Sequence, residues 1–409
     1  MIVGGFAPLV NLNRTSAFGG EPLVAAETPA LMATESKRTP ITLRAILGRG
    51  KQSQVGTERD RHEGIGVKLS LLFIGLALAS AIHAAEGQNG YKLLKNIPIG
   101  GEGGWDYLSI DAAARKLYVT HAIKIVIVDL AEDKIAGEIA DTPGVHGFAI
   151  ASELERGFSS NGKESKVSVV DLKTTNTIAK VETGENPDAI LFEPTQSEVY
   201  AFNGGGKSAT VIDAKTNKVV VTVPLSGKPE FAAADALGAR VFCNIEDKSE
   251  VAVIDIKTHA VTASWPLAGG QDPTGMAFDA VHHRLFVGCG NKLMAMLDTD
   301  TGQVVAKVPI GAGVDACAFD ETTQLAFASC GDGTITIAKE EGPNKLTVVQ
   351  TLTTERGART MALDPGTHRI YTCTAQIAPD TGPSPSPGER RRPNYVPGTF
   401  HLLVYGREL

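Results

Sequence analysis

Five aspartates recur along the chain at almost constant intervals: Asp129, Asp171, Asp213, Asp255 and Asp298 are 42, 42, 42 and 43 residues apart. Each ends an apolar segment and opens a turn such as DLKTTN, DAKTNK or DIKTHA. An aspartate at such a point accepts a hydrogen bond from the backbone two residues on, so turn chemistry accounts for it. A second apolar segment keeps the same period, as LYVT from 117, GFSS from 157, VYAF from 199, VFCN from 241, LFVG from 285, LAFA from 325 and IYTC from 370. In the sixth and seventh units Lys339 and Tyr405 replace the aspartate. Four short apolar segments per unit, without a helical-period stretch between them, predict an all-β fold: a seven-bladed β-propeller.

The last unit ends too soon. Only GREL follows Tyr405, leaving no room for a fourth strand. The missing piece lies at the other end, where YKLLKNIPIGG (91–101) aligns with GQVVAKVPIGAG (302–313). Residues 91–98 are therefore expected to complete blade seven, closing the ring and removing exposed sheet edges.

Upstream of the repeats, residues 1–66 show no sustained period and read as disordered or as a non-native extension. Residues 67–85 read as a secretory signal: Lys68 precedes the apolar run Leu69–Ala81, and small residues follow. That run is shorter than the roughly 20 residues a membrane span needs, which favours cleavage over an uncleaved anchor. The expectation is a periplasmic or secreted monomer, with residues 86–409 as the propeller and no membrane span after cleavage. The formal charge is −7, and the chain beyond residue 84 carries −10. That balance disfavours nucleic acid as a partner. The five cysteines form no CxxC pattern and sit in or beside apolar strands, as buried thiols do. A disulfide between Cys289 and Cys330, which end equivalent strands, is the alternative.

The units IPIGGEGGWDYLSIDAAARKLYVTH and EVYAFNGGGKSATVID resemble the YVTN-repeat (YncE-like) β-propellers of bacterial envelopes. The resemblance covers residues 91–409 and implies the propeller fold. One branch of that family is associated with single-stranded DNA. Most units here keep only the Tyr or Phe of the motif, so no ligand carries over.

The repeat also separates structural positions from variable ones. The first polar residue of each innermost strand is Asp106, His146, Asp188, Glu230, Thr274, Asp315 and Arg359. These seven differ from blade to blade and should ring the channel mouth, where a hydrated rim or a ligand site accounts for them equally well. The ends of the second strands suggest another ring: His121, Asn161, Asn203, Asn244, Cys289 and Ser329. His121 and His146 with Asp106 admit a divalent metal, zinc or iron by donor type, or calcium through carboxylates alone. Trp105, beside Asp106, either stacks on a ligand or packs between blades one and seven. A Pro- and Arg-rich insertion, 376–398, interrupts blade seven on the same face and carries Arg390, Arg391 and Arg392.

Three functions follow. The first is a binding module for a small molecule or an envelope protein, which needs no catalytic machinery. The second is a metal-assisted, lactonase-like hydrolase, with His146 and Asp106 as base or ligands and Arg359 stabilising negative charge. The third is single-stranded nucleic-acid binding, for which Trp105, Tyr107, Phe231 and the Arg390–Arg392 loop are the available groups.

Overall fold

In a computed structural model, which describes residues 90–379 and 393–407, seven four-stranded antiparallel sheets follow one another along the chain. Each sheet is one sequence repeat, its strands lettered a to d from the channel outward. Blade one runs Trp105–Asp111, Lys116–His121, Lys124–Asp129 and Lys134–Ile139. The innermost strands of successive blades touch in order, and Trp105–Asp111 returns to meet Met361–Asp364 of blade seven. The ring is thus a closed seven-bladed propeller. Lys92–Pro98 pairs antiparallel with His401–Gly406 and supplies the outer strand of blade seven. The readings of residues 1–66 and 67–85, and of Arg390–Arg392, lie outside the described residues. No helix among the described residues is long and apolar enough to cross a membrane.

The sheets hold together because strands b and c are buried on both faces, so each blade packs apolar side chains against both neighbours. Strand d is mostly exposed on the rim. All five turn aspartates adopt the expected geometry. Asp213 Oδ1, for example, accepts from the Lys215 and Thr216 amides at 2.9 and 2.7 Å.

The cysteines are free thiols, all buried. The conceivable Cys289–Cys330 bridge does not form. Cys289 and Cys330 face different apolar clusters, and each thiol turns back to a carbonyl of its own strand, Val287 and Ala328.

Gly157 stands where other blades carry Leu117, Val199, Val241 or Leu285, and Phe148 takes up the space. A Cβ on Gly157 would lie 2.0 Å from the Phe148 ring. Overfilling a packed core costs about 1–3 kcal/mol and sometimes more. Gly157→Val should therefore destabilise by at least about 3 kcal/mol. Phe148→Leu should restore part of the loss, as read by urea midpoints of the single and double variants.

Candidate functional site at the channel mouth

The mouth is built by a defect repeated around the ring. In six blades the pairing of strands a and b slips at the start of strand a, between Trp105 and Leu108, Val145 and Phe148, Pro187 and Ile190, Pro229 and Ala232, Pro273 and Met276, and Val314 and Ala316. A bulge leaves a residue outside the ladder and re-aims its side chain. The residues inside these bulges include Asp106, His146, Asp188, Glu230, Thr274 and Asp315. In blade seven Arg359 precedes strand a.

Side chains of strand b hold several of these bulges. Ser160 Oγ donates to the Asp188 carbonyl at 2.5 Å, and Asn244 Nδ2 donates to the Thr274 carbonyl at 2.9 Å. Ser329 Oγ donates to the Arg359 carbonyl. Each therefore positions the ring residue of the next blade. Thr120 works within blade one, accepting from the Asp106 amide at 3.2 Å and donating to the Tyr107 carbonyl at 3.0 Å.

This corrects the expected second ring. His121, Asn161, Asn203 and Cys289 pair with the first residues of strand a, whereas Asn244 and Ser329 lie one place earlier in the ladder. Neighbours in a strand point to opposite faces, so the six cannot form one ring. Asn161 and Asn203 are buried and bonded within their own blades, to Ser168 and Glu164 and to Ser208 and Thr210. His121 is 1% exposed and stacks on Phe400 at 4.2 Å between blades one and seven. Neither of its ring nitrogens meets hydrogen-bond geometry. Burial lowers its pKa, helped by Lys124 and opposed by the nearby Gly103 backbone. His121 is thus an aromatic wedge and lies outside the carboxylate cluster.

The first ring does assemble. His146 Nδ1 lies 2.7 Å from Asp106 Oδ2 and 3.6 Å from Asp188 Oδ1. On the other side of Asp106, Arg359 Nη2 is 3.9 Å from Oδ1, while Arg359 Nε donates to Asp315 Oδ2 at 2.7 Å. Beyond Asp188, Glu230 contacts Lys228, which also reaches Glu246 at 2.5 Å. Charges of alternating sign therefore run through blades six, seven, one, two and three, in the order Asp315, Arg359, Asp106, His146, Asp188. In blade four Glu230 follows Asp188 with like charge and is offset by Lys228. Thr274 leaves the arc neutral at blade five and donates to the Val314 carbonyl.

Burial shifts these groups. It raises Asp188 to about 6 against the pull of His146, and Asp315 to about 6 against Arg359. Burial and then Asp188 raise Glu230 to about 8, although Lys228 draws it down. For His146 burial favours the neutral ring, but the Asp106 hydrogen bond and the Asp188 charge outweigh it and raise the pKa. Below the arc, Tyr107 packs edge-on to Phe231 at 5.2 Å and narrows the channel to an apolar throat.

A cavity of about 740 Å³ opens over the middle of this arc, lined by Trp105, Asp106, His146, Lys163, Arg359 and Tyr395 among others, while Asp188, Glu230 and Asp315 stay outside its lining. Trp105 is 5% exposed and packs on Phe400 and Tyr395, at 5.1 and 4.6 Å between ring centres. It is the packing between blades one and seven. Tyr395 comes from the inserted segment, whose described base is tied by an Ile377–Tyr395 bridge and by the Ala378 amide on the Asn394 carbonyl. Lys163, Lys228 and Glu246 escaped the sequence reading because their loop positions recur in other blades with glycine or other residues and nothing local marks these copies as reaching the mouth, and Tyr395 because it lies in the insertion.

No family model matches the sequence, and no curated protein matches it. Among solved structures, a chain of Kuenenia stuttgartiensis hydrazine synthase is similar, with a TM-score of 0.60 at 16% identity over 69% of this chain and 96% of that one. The likeness is one of fold.

Proposed function

We propose that this chain is a bacterial-envelope binding module that takes a small polar ligand at the mouth of its propeller channel. The carrying observation is that Arg359, Asp106 and His146, paired with one another and with Asp315 and Asp188 on either side, line a 740 Å³ cavity. Structural repeat positions converge on one residue, as the turn aspartates do, whereas this position holds different residues that still meet one another. Pre-paired charges lining a cavity are held ready to exchange partners with a ligand of complementary polarity. Arg359 and Lys163 suit an anionic group, and Asp106 suits a hydrogen-bond donor. The enclosed volume favours a small molecule over a protein surface. Placement with the YVTN-repeat propellers rests on the repeat motifs, and a periplasmic or secreted location rests on the apolar run Leu69–Ala81.

Native mass spectrometry of protein purified from its envelope should show a bound small mass. The combined Asp106→Asn, His146→Ala and Arg359→Ala variant should fold and lose it. Retention of the same mass by the folded triple variant rules the mouth out as the binding site.

A metal-assisted hydrolase is the second reading, favoured by one observation. Ligand atoms of Asp106, His146 and Asp188 all lie within 4.8 Å of one another. One imidazole and two carboxylates suit zinc or iron, and such an ion would supply Lewis acidity there. Because a metal must displace the protons of His146 and Asp188, both of which titrate above their ordinary range, metal affinity should rise with pH. Protein that carries no metal, and whose activity on lactones is insensitive to chelation, excludes this reading. Single-stranded nucleic acid is the least supported: Trp105 is buried, and Tyr107 and Phe231 pack on each other.

A further inference from the structure

The opposite face holds a second cluster that the repeat pattern does not account for. At that end of strand a, most blades carry a buried carboxylate that caps the a–b turn: Asp111, Glu193, Asp235, Asp279, Asp320 and Asp364. Where such a carboxylate reaches the next blade, it elsewhere meets a donor. Asp364 meets Arg115 at 2.6 Å, Asp320 meets His368 at 2.7 Å, and Asp111 meets Ser152 at 2.9 Å. Asp279 of blade five instead meets Glu340 of blade six.

The cause is visible in the chain. Blade six has Lys339 where five other blades have the turn aspartate. Without that turn, strand c continues over Thr334–Gly342 and doubles back through a tight hairpin, with Gly342 opposite Lys345. The longer hairpin reaches blade five, where Arg284 Nε donates to the Pro343 carbonyl at 2.9 Å. Glu340 itself occupies the buried position that Leu130, Ala214, Ile256 and Thr299 hold in other blades, its amide bonded to the Gln324 carbonyl as theirs are to the equivalent carbonyls. It is 3% exposed, and its Oε2 has no hydrogen-bond partner.

Around this orphaned oxygen the groups are specific. Asp279 Oδ1 accepts from the Val281 and His282 amides, and Oδ2 lies 2.6 Å from His282 Nδ1. Ligand atoms of Asp279, His282 and Glu340 fall within 4.8 Å of one another. His282 is half exposed and gives access from solvent. The nearby cation, Arg284, is engaged by Asp298 at 2.8 Å and by the His282, His283 and Pro343 carbonyls. Two buried carboxylates and an imidazole therefore face one another, and a buried unpaired carboxylate is costly unless it gains a partner.

We propose that Asp279, His282 and Glu340 form a divalent-metal site of the zinc class that clamps blade five to blade six. One nitrogen and two oxygen donors fit zinc better than calcium, which takes oxygen ligands alone. Three protein ligands leave a position open to solvent beside His282. The site is independent of the mouth and of whatever the mouth binds.

The test uses zinc chloride with chelator-treated protein carrying His146→Ala, which disables the Asp106–His146–Asp188 cluster. Equilibrium dialysis at pH 7.5 should find one zinc per chain, with a rise in Tm. Adding Glu340→Gln, or separately His282→Asn, should weaken binding by more than about 100-fold, the upper end of what changes outside the ligand shell cost. Absence of zinc binding by the His146→Ala protein, or undiminished binding by either folded double variant, overturns the proposal and leaves Asp279 and Glu340 as a proton-sharing pair.

Discussion

A chain lacking residues 91–98 is expected to lose its cooperative unfolding transition. Among the described residues, Lys92–Pro98 is the one strand of blade seven supplied from outside its own repeat, and without it His401–Gly406 becomes an open edge. The segment also carries two anchors. Ile97 is buried among Trp105, Phe400 and Leu402. Tyr91 packs on Phe327 at 5.4 Å and donates to the His368 carbonyl at 3.0 Å, while its amide donates to Gln350 Oε1 and its carbonyl accepts from Gln350 Nε2. Truncating one large buried apolar side chain costs about 2–5 kcal/mol. Losing both anchors and the ladder together approaches the roughly 5–15 kcal/mol that holds a typical domain folded. Urea unfolding followed by near-ultraviolet circular dichroism is the measurement. A sigmoidal transition with an unshifted midpoint would refute the closure role, and recovery of the transition on adding a peptide of residues 90–100 would confirm it.

Stability should fall as the pH rises from 5 to 9, because the mouth carboxyls titrate upward of their usual range. In the unfolded chain they ionise near pH 4, whereas in the fold Asp188 and Asp315 ionise at about 6 and Glu230 at about 8. Between those limits the folded state binds more protons than the unfolded one. Their contribution is thus complete below about pH 4 and lost as the pH climbs through 6 and then 8. His146, also raised, acts in the same sense above its ordinary range. The turn aspartates Asp171, Asp213, Asp255 and Asp298 are lowered by their hydrogen bonds, so what they contribute is present above about pH 4 and lost in acid. Stability should therefore be greatest in mildly acidic solution and decline toward pH 9, first as Asp188 and Asp315 and then as Glu230 lose their protons. Glu230→Gln should flatten the alkaline part of this slope, since Lys228 keeps Glu246 as a partner. Denaturant midpoints of both proteins across the range decide it, and a flat profile for the parent protein contradicts the electrostatics of the arc.

Much of the fold was legible because its cues are local and repeated. A turn aspartate such as Asp213 needs only the next three residues to do its work, so the five copies that carry it announce themselves along the chain, and the second apolar segment marks the other two. The closing strand was legible too, since residues 91–101 still look like the fourth strand they have become. The mouth position could be found by comparing copies, because a site without a shared structural duty is free to vary. Asn244 and Ser329 were misplaced for the opposite reason: VFCN and LAFA do not show on which face their polar neighbours fall, and a shift of one residue reverses the face.

The sequence by itself therefore determined the number of blades, the turns, the way the ring closes and which position of each repeat faces the mouth. All of these follow from periodicity and short-range hydrogen bonding. Only the tertiary structure decided which of those residues meet. Arg359 and Asp106 stand at opposite ends of the repeat array and become neighbours because blade seven closes on blade one. His146 lies between Asp106 and Asp188 because bulges turn all three toward one point. Glu340 reaches Asp279 because blade six places a carboxylate at a buried position that is apolar or neutral in other blades and that faces blade five. Charge pairing across blades depends on distances set by ring closure and loop length, and neither is written in any single repeat.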